Sequence, residues 1–290
     1  MQLTTETVRT AVTAALAEDQ AVDDVTTRWS VPADLQVEAT VVAKQAGRVA
    51  GLPLLQGVFA AVDPTVTVRP AVADGDPVLP GQPLASISGA ARSIITGERV
   101  ALNFVQRMSG IATLTAAFVA AIGPRPVRLL DTRKTAPGLR AMDKYAVACG
   151  GGTNHRLDLA AMVLLKENHL AAAGGVLPAV RRVRDGLTLE GRSLAIEVEV
   201  TTVEEARQAL DCRVEWILLD NMPAEEMALI VERRNTSGST SQLEASGTIT
   251  LDTVADVAAT GVDAVSVGAL THSPTALDIS LLVVRDHSLN

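Results

Sequence analysis

After Pro126 the chain repeats one pattern six times: a short apolar run, a turn, then in most cases an amphipathic stretch. The apolar runs are VRLLD (127–131), AMVLLK (161–166), LAIEVEV (194–200), VEWILLD (214–220), QLEAS (242–246) and DAVSVG (263–268). Helical spacing marks 138–149, 175–185, 203–211, 223–234 and 250–260. Strands that alternate with helices run parallel, because each helix returns the chain to the edge where it began. Six such units predict a parallel α/β barrel, with an open doubly wound sheet as the alternative.

The chain before Pro126 reads differently. Residues 3–18 carry Val8, Val12, Ala15 and Leu16 on one helical face. Residues 36–90 hold short strands, such as VEATVVAK and PLASISG, separated by Gly- and Pro-rich turns, and predict a small antiparallel unit. A long helical region covers 93–121, with a break expected at Ser109-Gly110 and an end at Gly123-Pro124-Arg125-Pro126. Two domains are therefore expected, 1–122 and 123–290.

Charge narrows the function. The chain carries a net −8, yet residues 125–169 hold eight basic side chains against four acids. Three of the four lysines, Lys134, Lys144 and Lys166, fall there. A local basic cluster in an acidic chain predicts a pocket for a small polyanion and argues against a general nucleic-acid partner. Asp143 and Lys144 sit on a predicted helix and are expected to be surface residues or local pairs. No run of about 20 uninterrupted apolar residues occurs, so no membrane span is expected. Two cysteines, Cys149 and Cys212, without ligand spacing suit a reduced, cytoplasmic setting.

Sites in parallel α/β folds gather where strands end. The first run ends in Asp131-Thr132-Arg133-Lys134 and the second in Lys166-Glu167-Asn168-His169. Alternation along the third puts Glu197 and Glu199 together on one side, facing inward in a barrel. Basic partners, a metal, a polar ligand or a structural ion pair would offset the cost of burying them. The fourth run ends in Asp220-Asn221, the fifth in Ser246-Gly247 and the sixth in Gly268-Ala269. Late loops of this kind, opening onto helix N-termini, suit a phosphate. Gly150-Gly151-Gly152 lets the backbone before Thr153-Asn154-His155-Arg156 lie close to a ligand. His169 reads as structural.

The ordered motifs GERVALNFVQRMSGIAT, DTRKTAPGLR, GGGTNHR, LLKENH, EVEV, LLDN, ASG and VGALTHS resemble those of the quinolinate phosphoribosyltransferase family, across nearly the whole chain. The resemblance implies transfer of phosphoribose from phosphoribosyl pyrophosphate to quinolinate. Pyrophosphate and carbon dioxide are released and nicotinate mononucleotide is formed, in NAD biosynthesis. It implies an N-terminal open-faced α/β sandwich, an incomplete, TIM-like six-stranded barrel, and a homodimer with shared sites. It assigns Arg133, His155, Arg156 and Lys166 to quinolinate's carboxylates and counts Thr132 among the substrate-binding residues. Lys134 would sit between quinolinate and pyrophosphate, and Arg99 would reach into the partner's site. Glu199 and Asp220 would engage the ribose hydroxyls and Mg2+, mostly through substrate and water. Ser246, Gly247, Val267, Gly268 and Ala269 would bind the 5′-phosphate. Lys134, Glu199 and Asp220 are the expected catalytic residues. Thr248 stands where many relatives have glycine, and Ala245 where some have serine.

The nearest alternative is a related phosphoribosyltransferase acting on nicotinate or another base, which would need fewer anion partners. A biotinyl- or lipoyl-like carrier is suggested only by the turn at 74–84, and Lys44 lacks the usual carrier surroundings. A catalytically silent phosphosugar sensor is a third reading.

Overall fold

The computed structural model describes residues 2–284. Met1 and residues 285–290, the ends of the two expected domains, lie outside the described residues. The chain divides into two compact units and crosses between them after Ala116, Lys134, Gly151 and Gly268. A single boundary at 122/123 was expected. Residues 135–151 and 269–284 group with the N-terminal unit.

That first unit holds α1 (Thr5–Glu18), α2 (Val25–Ser30), β1 (Gln36–Ala43), β2 (Gly47–Arg48), α3 (Leu52–Val62), β3 (Thr67–Pro70), β4 (Pro77–Val78) and β5 (Pro83–Ala90). Thr4 caps α1 by accepting the Thr7 N–H at 3.1 Å. The long α4 (Ala91–Ile122) follows, in this unit as far as Ala116, and α5 (Arg140–Cys149) also belongs to it. α4 does not break at Ser109-Gly110. The Ser109 hydroxyl accepts the Ala50 N–H at 2.9 Å and donates to the Ala50 carbonyl at 3.2 Å. A Cβ on Gly110 would stand 2.1 Å from the Thr275 carbonyl oxygen. Small residues there admit neighbouring backbone without interrupting the helix.

α4 is long and apolar enough to cross a membrane, but half of its most apolar stretch is buried inside the protein. Its Arg107 donates to both oxygens of Asp143, at 3.0 and 2.8 Å, and to the Thr271 carbonyl. Asp143 and Lys144, expected to be surface residues or local pairs, are both fully buried. Their places on α5 follow from this packing, which helical spacing alone does not reveal.

The second unit holds β6 (Arg128–Leu130), β7 (Val163–Leu165), α6 (Glu167–Ala173), α7 (Val176–Leu189), β8 (Ile196–Val200), α8 (Val203–Asp211), β9 (Trp216–Asp220), α9 (Ala224–Ser237), β10 (Gln242–Ser246), α10 (Val254–Ala259) and β11 (Ala264–Ser266). The six strands form one parallel sheet ordered β6-β11-β10-β9-β8-β7. First and last strands are neighbours, and the order lacks the reversal of a doubly wound sheet. The free edge of β6 meets Thr153 through an isolated parallel bridge at Leu130. No β6–β7 ladder occurs among the described residues.

The chain then returns to the first unit as α11 (Ala269–His272) and β12 (Ile279–Val284). β12 pairs antiparallel with β1 and completes a sheet ordered β12-β1-β5-β3. Gln106 of α4 holds its start, donating from Nε2 to the Ile279 carbonyl at 2.7 Å.

Candidate active site

Pairing register sorts the second unit's side chains. Leu164, Glu197, Trp216, Gln242, Glu244, Ala264 and Arg128 follow one another across paired positions, so they share a face with Glu199, Leu218, Asp220, Ser246 and Ser266. At the N-terminal strand ends this face is closed by Arg128, 4.8 Å over the Trp216 ring and 2.9 Å from Gln242 Oε1. Arg128, counted with the basic cluster in the sequence, therefore lies at the end of the strands away from the expected site.

The middle of the face is acidic and buried. Glu197 and Glu244 are fully buried, and His155 Nε2 lies 3.1 Å from one and 3.5 Å from the other. Their strands are two positions apart in the sheet, so the carboxylates converge only if the face is concave. Burial pushes the Glu197 pKa up, with Glu244 adding to it and His155 opposing it. Burial works against a charged His155, but the hydrogen bond with Glu197 and the Glu244 carboxylate 3.5 Å away outweigh it and push its pKa up to about 9. The Arg156 N–H, donating to His155 Nδ1 at 2.7 Å, opposes that rise, because a charged ring carries a proton on both nitrogens. Both nitrogens of His155 thus already have protein partners. Asp131, fully buried, fixes this segment by accepting the His155 N–H at 2.8 Å and the Asn154 side-chain amide at 2.7 Å.

The C-terminal strand ends carry the remaining expected residues. Lys166 Nζ contacts the Glu199 carboxylate directly. His169 is structural, as expected: its Nδ1 accepts the Lys166 N–H at 2.9 Å and shapes the entry into α6. That helix was not anticipated, since a run of seven residues leaves little periodicity to read. Thr132 Oγ1 accepts the Lys134 N–H at 3.0 Å. Arg156 donates to the Met162 carbonyl, and its pKa is lowered by burial and then by repulsion from Arg133. Arg133 Nε is buried without a hydrogen-bond acceptor. Two guanidiniums that repel each other, one with an unsatisfied buried donor, could hold an anion.

Asp220 and Ser246 are paired across β9 and β10, and Gly247 follows with φ +124°. A Cβ there would stand 2.3 Å from Asn221 Oδ1, so the turn requires glycine. Val267 is buried and donates its N–H to the Leu130 carbonyl at 3.0 Å, and Gly268 follows it. Ala269 opens α11 and Arg99 stands exposed on α4, both in the first unit. In that unit Gly150 answers to helix packing: its Cβ would stand 2.5 Å from the Ala112 carbonyl oxygen. Glu199 and Asp220 supply the hard oxygen donors that Mg2+ prefers. Lys166 and the Asn221 amide already occupy them in part, which suits a metal held mostly by substrate and water.

Residues 111–282 match the family described as quinolinate phosphoribosyl transferase, C-terminal domain, and residues 24–109 match its N-terminal domain. The chain belongs to the quinolinate phosphoribosyltransferase family. It is 43% identical over 288 residues to quinolinate phosphoribosyltransferase (decarboxylating) 1b of Nicotiana tabacum, covering 95% of this chain and 82% of that protein. It is 43% identical over 250 residues to a probable carboxylating nicotinate-nucleotide pyrophosphorylase of Synechocystis, covering 86% and 83%. The solved nicotinate-nucleotide pyrophosphorylase of Francisella tularensis superposes with a TM-score of 0.91 at 35% identity, covering 98% of each chain.

Within this family member three site features lay beyond sequence reading: the Asp131 anchor, Glu244 beneath His155, and the Asn221 side chain against the 246–248 turn. Glu244 had a signal, since it is the one acid in an apolar strand. The other two act through loops whose partners only folding brings near.

Proposed function

We propose that the chain transfers the phosphoribosyl group of phosphoribosyl pyrophosphate to quinolinate, releasing pyrophosphate and carbon dioxide and forming nicotinate mononucleotide. The observation that carries this reading is the Arg133–Arg156 pair with its unsatisfied buried donor. Such a pair suits a dicarboxylate better than a neutral base. Arg133, Arg156 and Lys166 bind the two carboxylates, and His155 joins them only by releasing Glu197 or the Arg156 amide. Lys134, with Thr132, faces the pyrophosphate side. Ser246, Gly247, Val267, Gly268 and Ala269 take the 5′-phosphate. Glu199 and Asp220 hold the ribose hydroxyls.

In the reaction the pyridine nitrogen bonds to the ribose carbon while the bond to pyrophosphate breaks, its electron pair leaving with pyrophosphate. Glu199 and Asp220 stabilise the positive charge that develops on the sugar. The ring nitrogen becomes cationic. The adjacent carboxylate then leaves as carbon dioxide, its bonding pair drawn toward the cationic ring, and that carbon takes a proton from solvent. Mg2+, when bound, offsets pyrophosphate charge. The side chains act mainly by positioning and neutralising.

The strand order and the converging Glu197 and Glu244 support an incomplete barrel, open between β6 and β7. The four-stranded antiparallel sheet with its helices supports an open-faced sandwich. The exposed Arg99 supports a homodimer in which it enters the partner's site. A reducing, cytoplasmic setting suits the unbridged Cys149 and Cys212.

Carbon dioxide release from quinolinate, dependent on phosphoribosyl pyrophosphate and magnesium, tests the activity. Turnover of nicotinate with none of quinolinate overturns it. For the shared site, mixing Arg99→Ala with Lys134→Ala protein should restore partial activity. No recovery despite confirmed subunit exchange overturns it.

A further inference from the structure

We infer that Asn221 is a positioning residue that locks the ribose-binding carboxylate and the phosphate turn into one rigid piece. The inference rests on the proposed phosphoribosyl site. Asn221 follows Asp220 at the end of β9 and has φ +52°, a left-handed conformation that asparagine adopts more readily than most residues. That conformation turns its side chain back over the neighbouring loop. Its main-chain N–H donates to the Ser246 carbonyl at 2.9 Å. Its side-chain Nδ2 donates to Asp220 Oδ2 at 2.9 Å, and its Oδ1 accepts the Thr248 N–H at 3.0 Å.

One side chain therefore touches both halves of the sugar-phosphate site. The amide donor fixes the rotamer of Asp220, and the amide acceptor fixes the turn that starts at Gly247. The absence of a Cβ at Gly247 is what lets Asn221 Oδ1 come so near. The clamp also accounts for threonine at 248. Its N–H is spent on Asn221, so the side chain at that position is not constrained by main-chain contact with a phosphate. The spacing between a 5′-phosphate and the ribose hydroxyls is set by covalent structure. A site that holds its own two contact groups at a fixed spacing gains affinity by preorganisation.

The test compares wild type with Asn221→Gly and Asn221→Asp. Glycine tolerates the positive φ and removes both side-chain bonds. Aspartate keeps an acceptor for Thr248 but cannot donate to Asp220. Binding of nicotinate mononucleotide is measured beside nicotinate riboside, which lacks the phosphate, and kcat and KM are measured with phosphoribosyl pyrophosphate. Asn221→Gly, which loses both bonds, should raise that KM and lower kcat, each about tenfold, and should weaken the mononucleotide more than the riboside. Asn221→Asp, which sets a second carboxylate against Asp220, should lower kcat about tenfold. Wild-type-like constants in both variants overturn the inference while leaving the activity standing. Failure of the wild type itself to turn over quinolinate overturns the proposed function instead.

Discussion

Arg107 grips the fully buried carboxylate of Asp143 with two hydrogen bonds, 3.0 and 2.8 Å long. The same carboxylate accepts the Ala136 N–H at 3.0 Å, so one ion pair ties α4, α5 and the loop before α5 together. Replacing Asp143 by alanine removes the partner of a partly buried guanidinium and of a main-chain amide. The expected loss is about 3–5 kcal/mol of stability, read from denaturant unfolding. A loss within about 0.5 kcal/mol, the scale of a surface change, would reject this account.

Arg133 and Arg156 predict a trade between stability and activity. Removing one of two repelling charges should relieve the fold while weakening the anion site. Arg133→Gln is expected to keep or raise Tm and to lower kcat/KM for quinolinate about 10- to 100-fold. A fall in Tm with normal quinolinate kinetics would show that Arg133 is structural.

His155 predicts a pH slope. Its pKa is raised on folding from an ordinary 6.5 to about 9. A group raised in this way stabilises the fold fully below its unfolded value and loses that contribution as pH climbs through its folded value. Wild-type Tm should therefore decline between pH 6.5 and 9. Glu197, also pushed up, slopes the same way, so the decisive comparison is with His155→Gln, whose decline should be shallower. Parallel curves for the two proteins would remove His155 as the source.

Gly247→Ala places a Cβ 2.3 Å from Asn221 Oδ1 on a backbone with φ +124°. The turn must shift to accept it. A cost of about 1–3 kcal/mol is expected, together with a raised KM for phosphoribosyl pyrophosphate and unchanged quinolinate affinity. Quinolinate binding measured by calorimetry separates this from general damage: equal weakening of both substrates would contradict a phosphate-side role.

Local patterning determined much of this protein on its own. All six predicted strands of the second unit appear, because a parallel strand buried on both faces must be a short apolar run. The strand-end residues were legible for the same reason: a polar residue that closes such a run lies at the shared edge. Glu197 and Glu199 were readable as same-face neighbours because side chains alternate along a strand.

Tertiary structure decided what depends on contacts distant in sequence. β12 crosses to β1, more than two hundred residues earlier, and nothing local in ISLLVV names that partner. Asp143 looks like a surface charge until Arg107 of α4 pairs with it, and Lys144 beside it is buried as well. Arg128 belongs to the basic stretch by sequence and to the opposite strand ends by register. His155 was expected to bind a substrate carboxylate, and only the fold reveals that its ring also meets Glu197, Glu244 and the Arg156 amide. Hydrophobic period and turn chemistry are carried by neighbouring residues, so they can be read along the chain. The partner of a buried charge depends on which strands and loops meet, and that is settled only when the chain folds.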